Sequence, residues 1–178
     1  AAYQAGQFDE AKALYEDALA IDAKHRDALL GRAAIHLHEN QSRAAIEIYR
    51  ELLNRNPRDH AALGGLNSLA QDENVQRYES DLRFLLKDTP ESAPLNYALG
   101  TLLSRQKRWA DAQQHFFTAY TRDSENPDIA FNLAVSLDNL GKDAPAAHYY
   151  KVALKLAQSR ASSFDKVQVH RRLQVLEF

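Results

Sequence analysis

The feature that most constrains this chain is self-similarity at a spacing of 34 residues. Ala11-x3-Tyr15-x2-Ala18 returns as Ala45-x3-Tyr49-x2-Leu52. Ala112-x3-Phe116-x2-Ala119 returns as Ala146-x3-Tyr150-x2-Ala153, while Leu99 and Gly100 map onto Leu133 and Ala134, and Ala23 onto Pro57. An ordered set at one period is the signature of stacked supersecondary units. Within a unit, Ala45, Ile48, Tyr49 and Leu52 fall at i, i+3, i+4 and i+7, one face of a helix, and Ala11, Leu14, Tyr15 and Ala18 do the same. A small residue at a fixed place lets two helix axes approach closely, and the aromatic one turn later fills the groove beside the crossing.

The pattern resembles the tetratricopeptide repeat family: a Leu-Gly pair early in helix A, an Ala and an aromatic in helix B, a second Ala, and a closing Pro. Leu99-Gly100, Ala112, Phe116 and Ala119 carry it in one unit; Leu133-Ala134, Ala146, Tyr150 and Ala153 carry it in the next. The resemblance covers nearly the whole chain. It implies an all-α, right-handed solenoid of antiparallel helix pairs, and a protein that binds others rather than a named ligand.

The repeat array is expected over residues 1–160: a partial unit at 1–25, then 26–59, a degenerate unit at 60–92, 93–126 and 127–160, with a capping helix at 161–178. Ser162 or Ser163 is the expected N-cap of that last helix, with Asp165 in its first turn opposing the positive helix end. Asn56-Pro57, Thr89-Pro90 and Asn126-Pro127 fall between units, where Pro stops one helix or begins the next. Pro145 fits the first turn of a helix.

The unit at 60–92 departs from the pattern. Pro57 to Pro90 is 33 residues, Tyr78 or Glu79 falls where the small Ala belongs, and Gly64-Gly65 lies inside helix A, at about 1 kcal/mol per Gly relative to Ala. It reads as a degenerate linker unit or as a weak point where the array bends or a ligand approaches the backbone. The first unit keeps its helix B and only a stub of helix A, so Phe8, Leu14 and Tyr15 are expected to expose apolar surface that invites self-association. The chain of 178 residues begins at Ala1 and contains no Met, which leads us to expect more repeat upstream in the parent protein.

No catalytic constellation emerges. Cys is absent, which removes thiolate nucleophiles and Cys-ligated zinc. The one Gly pair is not followed by Gly-Lys-Ser/Thr, so no phosphate loop is formed. His36 and His38 are two apart, on different sides of a helix; Asp111 and His115, at i and i+4, read as a surface ion pair. Neither a cofactor nor a metal is expected, and the protein is read as no enzyme. No run of 18 apolar residues exists, so no direct membrane insertion is expected. Residues 1–89 carry a net charge of −4 and residues 90–178 a net of +2. The late Lys151, Lys155, Arg160, Lys166, Arg171 and Arg172 read as a solvated face, with no nucleic-acid partner expected.

The resemblance implies that the A helices line a concave groove. Position by position, the partner-binding candidates are Leu30, Ala34, Leu37 and His38; Tyr97, Thr101, Ser104 and Arg105; and Phe131, Asn132, Val135, Asp138 and Asn139. Gly64, Ser68 and Asp72 are the corresponding places in the irregular unit. The Lys, Arg and Asn set with which some family members clamp a chaperone tail is lacking, since only Arg105, Asn132 and Asn139 suit a carboxylate. Leu30, Leu37, Tyr97, Phe131 and Val135 instead make an apolar strip for a hydrophobic or amphipathic segment of a partner protein. The alternative is a structural assembly part acting through self-association or its convex face.

The stretch from Asn126 to Gly141, with Phe164-Asp165-Lys166, further resembles repeat proteins of bacterial type IV and MSHA-type pilus biogenesis and related secretion systems. That likeness implies a bacterial assembly factor, membrane-anchored upstream, with this region in the periplasm.

Overall fold

A computed structural model describes residues 8–56, 59–69 and 75–177. Its helices are α1 (Phe8–Ile21), α2 (Arg26–His38), α3 (Ser42–Arg55), α4 (His60–Leu69), α5 (Val75–Asp88), α6 (Ala93–Arg105), α7 (Trp109–Arg122), α8 (Pro127–Asn139), α9 (Asp143–Leu156) and α10 (Lys166–Leu176). The chain divides into two compact units, Ala1–Leu85 and Leu86–Phe178. The fold is an all-α solenoid of helix pairs, and among the described residues no helix is long and apolar enough to cross a membrane. Pro57 and Asp72 lie outside the described residues.

The period of the sequence is a period of helix starts. α1, α3, α5, α7 and α9 are each 14 residues long, and α2, α6 and α8 are each 13. Ala11, Ala45, Ala112 and Ala146 each occupy the fourth position of a 14-residue helix, and all four are buried. The same position in α5 is Tyr78, not Glu79, and its ring is buried in place of the methyl group. The irregular unit is short between the start of α4 at His60 and the start of α5 at Val75, one residue less than the interval from Arg26 to Ser42.

Aromatic rings face glycines across the helix crossings. A Cβ on Gly31 would lie 2.2 Å from the ring of Tyr15, one on Gly65 would lie 2.3 Å from that of Tyr49, and one on Gly100 would lie 2.7 Å from that of Phe116. Real Cβ atoms do not come so close, so these glycines are steric requirements of the crossings. Gly64 faces open space.

The turns between paired helices repeat as well. Asn40 (φ 59°), Lys107 (φ 59°) and Gly141 (φ 66°) each adopt the left-handed conformation one residue past the helix cap. The next amide then reaches back to the helix, from Gln41 to His36 O (2.7 Å), Arg108 to Leu103 O (3.0 Å) and Lys142 to Leu137 O (3.0 Å). This closes the otherwise unsatisfied carbonyls of the helix end.

Buried polar groups fasten helix starts. Asp59 Oδ1 accepts from the Ala61 and Ala62 amides (3.1 Å each), capping α4, while Arg26 grips the same carboxylate through Nε (2.6 Å) and Nη2 (2.8 Å). The guanidinium holds Asp59 below the usual carboxylate range. Asp81, also buried, accepts from Ser42 and Arg43. Asn126 caps α8 through the amides of Asp128 and Ile129.

The expected Ser cap of the last helix is not what forms. Asp165 caps α10, accepting from Val167 (2.8 Å) and Gln168 (3.3 Å). Ser163 instead donates through its amide and hydroxyl to Asp128 Oδ1. The serine is drawn to a carboxylate 35 residues upstream, and the nearer Asp takes the cap. Several of the late basic residues are engaged: Arg172 binds both oxygens of Asp138 (2.8 and 2.6 Å), Lys166 donates to Ala157 O (2.6 Å), Lys151 pairs with Glu177, and Arg160 pairs with Glu125.

Candidate partner-binding surface

In the second compact unit, α6 and α8 set their candidate residues side by side. Asn132 Nδ2 donates to the Tyr97 hydroxyl (3.1 Å) and to the Asp128 carbonyl (3.0 Å). Thr101 Oγ1 donates to the Tyr97 carbonyl (2.9 Å), and Ser104 Oγ to that of Thr101 (2.8 Å). Tyr97, Thr101, Asn132 and Val135 are half-buried, and the Tyr97 ring leans on Phe116 at 6.0 Å. Burial, with the nearby Asp128 charge, pushes the Tyr97 hydroxyl up to about 12, so it is a neutral group at ordinary pH. Arg105 and Asn139 are exposed; Asn139 donates to Val135 O, whereas Arg105 makes no hydrogen bond or ion pair among the described residues.

Two candidates in this unit are already occupied. Phe131 is stacked on Phe164 (4.6 Å between centroids, 14° between planes), so the segment before α10 covers one face of its ring. Asp138 is held by Arg172 and by the Tyr150 hydroxyl (3.0 Å), and the Arg172 contact lowers its pKa. Both contacts are made by residues outside the face on which the candidates lie. No local pattern announces them beyond the presence of an aromatic and an Arg near the end of the chain.

In the first unit, Leu30, Ala34 and Leu37 on α2 are half-buried, neither core nor free surface. His38 is exposed but stacks on Phe8 at 4.0 Å. On α4, Gly64 and Ser68 are exposed, and Ser68 turns back to Gly65 O (2.8 Å). At the N-terminal helix, Leu14 is 55% exposed and Ile21 90%, while Phe8 and Tyr15 are half-buried. The apolar exposure expected there therefore falls on Leu14 and Ile21.

His115 Nδ1 lies 2.8 Å from Asn96 Oδ1, and Asn96 is buried, tying its amide to Pro90 O and Ser92 O. Asp111 accepts from Arg108. His115 thus links α7 to α6, while the Arg108–Asp111 contact is local to the start of α7. Among the described residues no three His, Asp or Glu side chains gather as a metal site.

Comparison with known proteins bears on this arrangement. Two family models described as tetratricopeptide repeat match the chain, one over residues 2–71 and the other over residues 97–162. The type IV pilus assembly protein PilF of Pseudomonas aeruginosa is 28% identical over 152 residues, which take in 83% of this chain and 60% of that protein. The TPR repeat-containing protein PA4667 of the same organism is 29% identical over 155 residues, 85% of this chain and 26% of that one. The chain thus spans less than two thirds of either relative. Among solved structures, that of Pseudomonas aeruginosa pilF superposes with a TM-score of 0.60 at 24% identity, over 99% of this chain and 80% of the other. The thermophilic TPR protein TTC0263 of Thermus thermophilus gives 0.52 at 21% identity, over 98% and 93%. MamA gives 0.55 at 16%, over 88% and 92%. At these identities the structural likeness speaks for the fold.

Proposed function

The chain belongs to the tetratricopeptide repeat family, and from that premise we propose that it is a non-enzymatic scaffold that seats an apolar or amphipathic segment of a partner protein on the candidate faces of α6 and α8. In the first unit, taken by itself, Leu30, Ala34 and Leu37 of α2 offer a smaller apolar place of the same kind. The observation that carries this reading is the fixed patch of Tyr97, Thr101, Asn132 and Val135 beside an unpaired Arg105. A half-buried aromatic held by a side-chain hydrogen bond is ordered before a partner arrives, so little entropy is lost on docking. A free guanidinium at its edge supplies register through a carboxylate or carbonyl of the partner. The likeness to a type IV pilus assembly protein supports a role in pilus or secretion-system assembly.

The test is a pull-down from a pilus-bearing cell with Tyr97→Ala and, separately, Arg105→Glu. Arg105 is exposed and unpaired, so its reversal leaves the fold intact. Loss of the same partner with both variants supports the reading; unchanged capture with both refutes it.

A second reading rests on Leu14 and Ile21, which give α1 an exposed apolar side suited to association with another copy or repeat. Sedimentation velocity decides it. A concentration-dependent dimer that Leu14→Glu with Ile21→Glu abolishes supports self-association; a monomer at all concentrations removes it.

A further inference from the structure

The outer side of α10 carries apolar surface that the fold does not use. Val169 and Leu173 are buried, and on the opposite side of the helix Val167 and Val175 stand 58% and 64% exposed. At 100° per residue Val167, Arg171 and Val175 fall within about 80° of arc, with Arg171 between the valines. Arg171 is exposed and makes no hydrogen bond or ion pair among the described residues. The helix bears Lys166, Arg171 and Arg172 and no acidic residue. The exposed side of α1 is its counterpart in charge. Glu10, Leu14, Asp17 and Ile21 are all exposed and fall at i, i+4, i+7 and i+11, within about 60° of arc. Asp9, Glu10, Glu16 and Asp17 outweigh Lys12, which is already paired with Glu39. Glu10 and Asp17 have no partner among the described residues. The apolar pairs are also matched in spacing: seven residues from Leu14 to Ile21 and eight from Val167 to Val175, about 10 and 12 Å along a helix.

We propose that the outer face of α10 in one copy receives the exposed face of α1 in a second copy. This rests on the reading of α1 as a self-associating face and names where on the other copy it docks. Charge selects the pairing. Two α1 faces together would gather four carboxylates, those of Glu10 and Asp17 from each copy, and two α10 faces would set Arg171 against Arg171. An α1 face on an α10 face instead joins leucine and isoleucine to valines and gives Arg171 a carboxylate. The two faces differ, so the contact is heterologous: every copy added still offers one free α1 face and one free α10 face, and assembly continues past the dimer. Helices of 14 and 11 residues bury less than a standard interface, so the association is weak and grows with concentration.

The experiment is sedimentation velocity of the 178-residue chain over a concentration series, with circular dichroism to check that each variant keeps its helices. The expected result is a mass that rises past the dimer. Arg171→Glu, and separately Glu10→Arg with Asp17→Arg, each set like charges face to face and weaken association about tenfold or more. Mixing these two variants in equal amounts, or joining the three substitutions in one chain, restores the association of the unmodified chain. Val167→Glu with Val175→Glu abolishes it. The proposal is overturned if the charge-swapped variants fail to rescue one another. It is also overturned by a dimer that Leu14→Glu with Ile21→Glu abolishes but that none of the α10 variants weakens; self-association through α1 alone then stands. A monomer at every concentration removes both readings.

Discussion

Gly64 and Gly65 are adjacent in α4, and the same substitution at each should move stability in opposite directions. Ala is favoured over Gly inside a helix by about 0.8–1 kcal/mol. At Gly64 a new Cβ meets nothing within 4 Å, so Gly64→Ala should realise that gain in full. At Gly65 the Cβ would sit 2.3 Å from Tyr49 Cζ, 2.6 Å from its hydroxyl oxygen and 2.7 Å from Cε1. Tyr49 is 5% exposed and its ring has no open space to retreat into. Overpacking of this kind costs about 1–3 kcal/mol. After the helical gain, Gly65→Ala is left with a net loss of about 1 kcal/mol, and the two variants differ by about 2 kcal/mol. Urea denaturation followed by circular dichroism measures this as a shift of midpoint at constant slope. A Tyr49→Leu background adds an internal control, because Gly65→Ala should there lose its penalty, giving a coupling energy between positions 49 and 65. If both alanines shift the midpoint in the same direction by the same amount, ring contact does not decide the sign and the steric argument for these crossings fails.

The buried Asp59 and the partly buried Asp138 both have lowered pKa values. A carboxylate depressed in the folded state contributes stability above its unfolded value, about 3.9, and loses it as pH falls through the folded value; acid unfolding below about pH 4 should thus be less steep in Asp59→Asn. Tyr78→Ala, which truncates a ring 3% exposed, should cost about 3 kcal/mol in denaturant midpoint analysis despite restoring the small residue of the other units. Lys107→Gly, at a left-handed position where Gly141 already stands in the next turn, should stabilise by about 1 kcal/mol in a thermal melt. Arg172→Ala frees α10 from Asp138, and amide exchange should accelerate in α10 while the α8 amides remain protected.

Most of the helix pairs are legible in the sequence because a small residue, Ala or Gly, and a ring, Tyr or Phe, return at fixed places 34 residues apart. Where that repetition lapses, so does the legibility. Tyr78 and Glu79 are equivalent on spacing, and only the start of α5 at Val75 settles which is buried. Spacing alone puts the cap of α10 on Ser162 or Ser163, because neighbouring cap-competent residues are distinguished by what else can bind them, and the acceptor for Ser163 is the distant Asp128. The candidate faces of α2, α6 and α8 follow from helical register, which is local. The covering of Phe131 by Phe164, and of Asp138 by Arg172, follows from the path of the chain after α9, which no register contains.

The polar links between helices span one repeat and little more: 33 residues from Arg26 to Asp59, 35 from Tyr97 to Asn132, and 39 from Ser42 to Asp81. A chain held this way has no need to bring its ends together. During synthesis, a helix pair that has left the ribosome waits only for the next few dozen residues to complete its bonds, and short loops close quickly. Each unit can therefore become committed to its structure while the following one is still being made, and nucleation can occur in either compact unit rather than at a single centre.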